Sequence, residues 1–302
     1  MLRSAILCAS ENRFLRRWFE SSASASRLTR RFVAGNSLEE ATHAVAGLVR
    51  DGLLASLDAL GESVKSEDEA KRAAQQYVDS VQRIHELALP STVSLKLTQL
   101  GLGISPRVAS DNLVSIVEAG RRAGVRVEVD MEASEHVDAT LDLVKDCHDR
   151  LGCIRAVMQA YLYRTEKDIR ELNALRIPVR LCKGAYKEDD AIAWPRKADV
   201  DENYRKLTSL VLAEGTLPAI ATHDERMLQH AVSEIRRLGL RSDQYEFQML
   251  YGIRRDLQRK LAADGSLVRV YVPYGEAWYP YLMRRMAERP ANLLFVLRNS
   301  MR

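Results

Sequence analysis

The sequence predicts an α/β fold, a (β/α)8 TIM-type barrel with an N-terminal helical extension. Eight short apolar runs alternate with long amphipathic segments, and strands alternating with helices imply a parallel sheet. The eight repeats fill about 240 residues, which is the size of such a barrel. The chain has 302 residues, 46% hydrophobic and 28% charged, an ordinary globular composition with enough length to bury a large core. A doubly wound sheet is the alternative, and it normally has fewer strands.

The predicted division is a helical arm over residues 1–50 and a barrel over residues 51–302. In the arm, Gly35-Asn36-Ser37 followed by Glu39-Glu40 reads as a turn, an N-cap and a first helical turn. Leu53–Ala59 is the first apolar run, and Ser66-Glu67-Asp68-Glu69 opens a helix through Ala70–Leu87. The second strand, Thr92–Thr98, comes after Pro90, and helix Asn112–Ala123 leads to the third, Val125–Met131, where Val alternates with charged residues. Helix Val137–Leu151, strand Ile154–Tyr161, helix Glu166–Leu175 and strand Pro178–Cys182 follow. The long connection Lys183–Asp201 is rich in charge and holds Trp194-Pro195, which suits a lid or cofactor-covering loop. Helix Asp201–Leu212, strand Leu217–Thr222, helix Asp224–Leu238, strand Tyr245–Leu250, helix Asp256–Ala263 and strand Leu267–Val272 complete the alternation, and helix Tyr279–Glu288 closes it.

Composition narrows the function classes. Cys8, Cys147, Cys153 and Cys182 form no CxxC pair, so they read as reduced cytosolic thiols rather than zinc ligands. No apolar run approaches the roughly 18 residues of a membrane span. Residues 1–35 hold seven arginines and two glutamates, a net of +5, so the whole chain's +4 leaves the body at −1. A nucleic-acid binder would carry its charge on a folded face instead. The arm has the composition of a presequence; it reads as a basic helix capping the body. The alternative is an amphipathic segment that is cleaved or touches anionic lipid, the latter at about 1 kcal/mol per basic residue.

Barrel sites lie at the C-terminal strand ends. There the sequence places Asp58 and Glu62, Lys96, Asp130 and Glu132, Gln159 and Tyr161, Arg180 and Lys183, Thr222 and His223, Gln248 and Tyr271. Strand ends meet solvent and are polar anyway, but Lys96, Asp130 and Arg180 fall within apolar runs. Buried charges must pair with each other or with a ligand. Adjacent Arg284 and Arg285, in the helix after the last strand, suit a carboxylate or phosphate. Gly101 and Gly103 begin a dinucleotide fingerprint that Pro106 breaks. No P-loop, HExxH or GxSxG is present, the histidines are scattered, and a catalytic metal is not expected. Lys96 or Lys183 could form a Schiff base, which keeps a barrel lyase open as an alternative.

The motifs resemble those of the single-function, FAD-dependent bacterial proline dehydrogenases. The likeness is carried by Ser94-Leu95-Lys96-Leu97, Val129-Asp130-Met131-Glu132, Gln159-Ala160-Tyr161 and Arg180-Leu181-Cys182-Lys183-Gly184-Ala185-Tyr186. It continues through Ala221-Thr222-His223-Asp224, Gln248-Met249-Leu250-Tyr251-Gly252, Arg269-Val270-Tyr271-Val272-Pro273-Tyr274-Gly275 and the run Tyr281 to Asn292. The resemblance implies a distorted barrel that binds FAD without a Rossmann motif. It also implies oxidation of L-proline to Δ1-pyrroline-5-carboxylate, with electrons passed to a membrane quinone. The expected location is cytoplasmic, with peripheral contact at the inner membrane face.

By resemblance, Arg284 and Arg285 bind the substrate carboxylate with Lys96. Asp130 is the buried acid of the site. Tyr271, Leu250 and Tyr186 pack the proline ring, and Tyr281 closes the pocket. Tyr271 also implies preference for proline over 4-hydroxyproline. Arg180 stands beside the reactive part of the flavin, where a cation stabilises the reduced anion. Met131, Gln159, Lys183, Gly184, Ala185, Thr222, His223 and Gln248 are further FAD contacts, with Lys197 on the adenosine side. Gly184 fits a close backbone approach to the cofactor. Glu62 resembles a gate residue that pairs with Arg284. Two features depart from the pattern: Cys182 stands at an aliphatic position, and Pro273-Tyr274 replaces a smaller pair, which is expected to reshape the mouth. The lyase remains one competing reading, and a non-enzymatic module docked through its basic arm is the other.

Overall fold

The computed structural model describes residues 29–61 and 63–288, except the side chains of 284 and 286–288. The expectations for Glu62, for residues 1–28 and for the Arg284 side chain lie outside these residues.

Helix α1 (Leu38–Arg50) is followed by eight strand–helix repeats. They run β1 (Leu54–Ala59), α2 (Glu67–Glu86), β2 (Ser91–Lys96), α3 (Pro106–Ala123), β3 (Val127–Asp130), α4 (Val137–Leu151), β4 (Ile154–Gln159) and α5 (Thr165–Ala174). Then come β5 (Val179–Cys182), α6 (Lys197–Glu214), β6 (Ala219–Ala221), α7 (Glu225–Leu238), β7 (Glu246–Leu250), α8 (Arg255–Ala263), β8 (Val268–Tyr274) and α9 (Trp278–Glu288). The strands pair in chain order and β8 returns to β1, so the sheet is a closed parallel barrel, as predicted.

Local chemistry sets the ends. Ser37 caps α1 in a reciprocal capping box with Glu40, and the Ser66 hydroxyl accepts the Glu69 N–H at 3.3 Å to start α2. Helix α3 starts six residues before its predicted first residue, because Pro106 takes the first helical turn behind the Ser105 cap. Strand β6 is three residues long; Leu217 has φ +44°, and Pro218, which accepts the Glu246 N–H at 3.0 Å through its carbonyl, has no N–H to donate in return.

Both faces of a parallel sheet are buried, and successive side chains alternate between them. Apolar residues such as Leu57, Leu95, Val129 and Phe247 face the helices in the main core. Their neighbours point into the lumen, and most of these are polar or charged. The connection expected to form a lid is fastened down. Ala193 bridges Leu162, the Trp194 N–H donates to the Tyr161 carbonyl at 2.8 Å, and Glu188 accepts from the Ser134 N–H at 2.8 Å.

The N-terminal segment straps the seam where the barrel closes. The Ala34 N–H donates to the Pro273 carbonyl at 2.8 Å, and the Gly275 N–H donates to the Gly35 carbonyl at 3.0 Å. Helix α1 packs across both β1 and β8. Tyr274, expected at the mouth, instead faces the helix layer, where its hydroxyl lies 2.7 Å from that of Ser80. Among the described residues no helix is long and apolar enough to cross a membrane.

Candidate active site

The lumen is built in layers, and the lowest is ionic. Arg155 on β4 and Arg269 on β8 face Glu246 on β7 and Glu128 on β3, and all four are buried. Arg269 Nη2 donates to Glu246 Oε2 at 3.1 Å and Nη1 to the Ala55 carbonyl at 2.8 Å. Arg155 Nη1 reaches Glu128 Oε1 at 3.1 Å and also contacts Glu246. Burial works against both carboxylates, but Arg155 with Arg269 holds Glu246 below its ordinary pKa, and Arg155 with Arg180 does the same for Glu128.

Above this layer Arg180 rises from β5. Its Nη1 donates to Gln248 Oε1 at 3.0 Å, Glu128 Oε2 at 3.1 Å and Ser94 Oγ at 3.2 Å, and its Nη2 pairs with Asp130. Burial opposes the guanidinium's charge, but Asp130 and Glu128 overcome it and raise the pKa. Lys96 on β2 lies beside Asp130 in register. Its Nζ stands 3.4 Å from Asp130, 3.5 Å from Asp58 and 3.5 Å from the Tyr271 hydroxyl. That hydroxyl donates to Asp130 at 2.7 Å, and the Tyr271 ring carries the Arg180 guanidinium 5.4 Å from its centroid. Burial pushes Asp58 above the usual carboxylate value, with Lys96 working the other way. Burial also holds Tyr271 well above an ordinary phenol. Cys182, at its departing position, points into the same space, with its thiol pushed up to about 11 by burial.

These groups line one cavity of about 770 Å³ at the C-terminal strand ends. It gathers Lys96, Asp130, Arg180, Tyr186, Leu250, Tyr271, Tyr281 and Arg285. The residues expected to contact a cofactor line it too: Met131, Gln159, Lys183, Gly184, Ala185, Thr222, His223 and Gln248. Arg285 lies 5.3 Å from the Tyr281 ring centroid. His223 Nε2 accepts the Leu250 N–H at 2.8 Å, which puts a neutral ring's proton on Nδ1 and ties the ends of β6 and β7 together. Lys183 is held by Asp201 and by Asp224, the latter at 3.0 Å. Lys197 is not among the lining residues; it joins the same rim cluster through Asp201.

Two expected residues turn elsewhere. Glu132 accepts from the Thr98 N–H at 3.0 Å and its hydroxyl at 2.5 Å, and burial raises its pKa. Tyr161 packs under Gly184, whose φ is +108° and where any Cβ would collide with the tyrosine ring. The glycine is therefore required by a protein contact, not only by an approaching ligand. Sequence reasoning missed Glu128, Arg155, Glu246 and Arg269. A signal was present: charges alternating with apolar residues in a parallel barrel have only the lumen to enter.

The family model described as Proline dehydrogenase matches residues 41–298. The chain is 42% identical over 299 residues to Proline dehydrogenase 1 of Bacillus subtilis, covering 99% of this chain and 98% of that relative. It is 40% identical over 280 residues to the proline dehydrogenase of Deinococcus radiodurans, covering 91% and 90%. Proline utilization A of Bdellovibrio bacteriovorus, solved after inactivation by N-propargylglycine, aligns with a TM-score of 0.81 at 26% identity. That alignment covers 87% of this chain and 33% of the other. A variant of proline utilization A from Bradyrhizobium japonicum aligns at 0.73 and 26%, covering 90% and 32%. The chain thus spans about a third of the length of these two larger proteins.

Proposed function

This chain belongs to the proline dehydrogenase family and is an oxidoreductase acting on the CH–NH group, and from that premise we propose that it oxidises L-proline to Δ1-pyrroline-5-carboxylate using FAD and a membrane quinone. The observation that carries the reading is the single cavity at the strand ends, which joins a set of cations to an acid–tyrosine pair.

The residues present fit a flavin. The cavity exceeds what proline alone would fill, and its volume lies in the range of cofactor pockets. Gln159 Oε1 lies buried on its wall without a hydrogen-bond partner, an acceptor awaiting a donor from a bound group. Gln159, Met131, Lys183, Gly184, Ala185, Thr222, His223 and Gln248 would hold FAD, with Lys197 at the outer rim and Arg180 beside its reacting part. When bound, FAD supplies the hydride acceptor.

The chain's own groups do the rest. Lys96, Arg285 and Arg284 take the carboxylate, whose two oxygens suit guanidinium forks. Leu250, Tyr186 and Tyr281 enclose the ring. Asp130 orients Lys96, Arg180 and Tyr271 together through its two oxygens. The Tyr271 hydroxyl, fixed by Asp130, occupies space that a 4-hydroxyl would need, which favours proline over 4-hydroxyproline. The substrate is selected as the free amine, so activity rises with pH toward the alkaline range. A Schiff-base lyase would need a lysine amine free to attack, whereas Lys96 and Lys183 each stand between two carboxylates. With a membrane quinone as acceptor, the enzyme works in the cytoplasm in peripheral contact with the inner membrane face, and by resemblance Glu62 is its gate residue.

An absorption spectrum of the purified protein, before and after anaerobic L-proline, tests this. Flavin bands near roughly 450 nm that bleach on adding proline are expected. Bands that persist would remove proline as the reductant, and a protein that takes up no FAD would remove the cofactor.

A further inference from the structure

The proposal that Arg180 stands beside the flavin leaves open what aims it. Glu128 is fully buried in the lumen below the cavity and does not line it. Its carboxylate is held without help from Arg180. Thr92 Oγ1 from β2 donates at 3.1 Å, Arg155 Nη1 from β4 at 3.1 Å, and Gln248 Nε2 from β7 at 3.0 Å. Arg269 on β8 stands 3.9 Å away. Four strands therefore fix this acceptor, and Arg180 Nη1 is brought to it at 3.1 Å. Gln248 serves twice, donating to Glu128 while its carbonyl oxygen accepts from Arg180 at 3.0 Å.

We propose that Glu128 is the positioning residue for Arg180, anchoring one corner of the guanidinium from below so that the remainder faces the cavity beside Asp130. The inference rests on the reading of Arg180 given above. A long arginine side chain has many rotamers, and Glu128, Gln248 and Ser94 converging on one nitrogen select one of them. Glu128 touches neither the cavity nor, on this reading, the substrate; its main route to the reaction is Arg180, and whatever it passes through Gln248 to the cofactor is the additive part of the cycle below.

A double-mutant cycle on the FAD-loaded enzyme tests this, using E128Q, R180K and the pair together. Three quantities are read in each: kcat, KM for proline and the midpoint potential of the bound flavin. E128Q is expected to lower kcat at least tenfold with KM within twofold, and to shift the potential. In the double variant, kcat and potential should match those of R180K alone. Full additivity would show that Glu128 acts by another route and overturn the proposal. So would an E128Q enzyme that melts earlier but keeps its kcat per bound flavin, the mark of a purely structural ion pair. If R180K itself changes neither kcat nor potential, the placement of Arg180 fails, an outcome distinct from additivity. Should E128Q not accumulate as folded protein, E128D retains the charge, withdraws it from Arg180 by one methylene and carries the same cycle.

Discussion

The two halves of the barrel lumen hold charge differently. Below, two arginines meet two glutamates, all four buried, with Arg269–Glu246 contacts at 3.1–3.2 Å. Above, Lys96 is shared among Asp58, Asp130 and Tyr271 at 3.4–3.5 Å on the wall of a cavity of about 770 Å³. In the lower cluster each carboxylate already meets guanidinium groups from two strands, and the geometry is that of a fold element. The cation above is shared at longer range among three partners on the wall of the cavity. Arg180 spans both, through Glu128 below and Asp130 above.

Removing a charge from each half should separate stability from activity. Glu246→Ala leaves Arg155 and Arg269 under-compensated in a dry interior, and a loss of about 3–5 kcal/mol is expected in urea unfolding. Asp130→Asn in the upper half should cost about 100-fold in kcat/KM while moving the urea midpoint little. An equal stability loss in both variants would erase the distinction between the halves.

The halves should also respond oppositely to pH. Glu128 and Glu246 are held below the ordinary glutamate value of 4.5. Their contribution to stability is complete above that value and is lost as the pH falls through it toward the folded-state values. Asp58 is raised above its ordinary 3.8, so its contribution is present in acid and lost as the pH rises through the raised value. Asp58→Asn should therefore gain stability relative to the parent as the pH rises from the ordinary aspartate value of 3.8 through the raised one. A difference that stays flat as the pH rises above 3.8 would count against a raised Asp58.

Two smaller effects sharpen the boundary of the site. Gln159→Leu removes the orphaned acceptor and should weaken FAD retention about tenfold, measured by equilibrium dialysis, with folding intact. Tyr274→Phe should cost about 1 kcal/mol of stability through its lost contact with Ser80 and leave KM for proline unchanged. A change in KM would return Tyr274 to the mouth.

The barrel was legible because its periodicity is strong: every predicted strand overlaps an observed one, and α4 matches at both ends. The errors at strand and helix ends are local. Helix α3 begins at Pro106, six residues ahead of the run that predicts it, and β6 begins only at Ala219 because Leu217 has φ +44° and Pro218 offers the ladder a carbonyl but no N–H. In the site, charged residues inside apolar runs pointed to Lys96, Asp130 and Arg180. The lower cluster stayed hidden because Glu128, Arg155 and Arg269 sit early in their strands, where a charge next to an apolar residue looks like an exposed face. Only closure of the sheet shows that this face is the barrel lumen.

The strap across the β1–β8 seam bears on how the protein is made. Ala34 and Gly35 meet Pro273 and Gly275, so the earliest described backbone waits for nearly the last. Contacts of such sequence separation form late because a large loop must close first. A chain still emerging from the ribosome has neither Tyr271 nor its seam until residue 275 is out, so the site cannot form before then. In pulse-labelled hydrogen exchange, the amides of Ala34, Leu60 and Gly275, each bonded across that seam, should become protected together and after the strands between them.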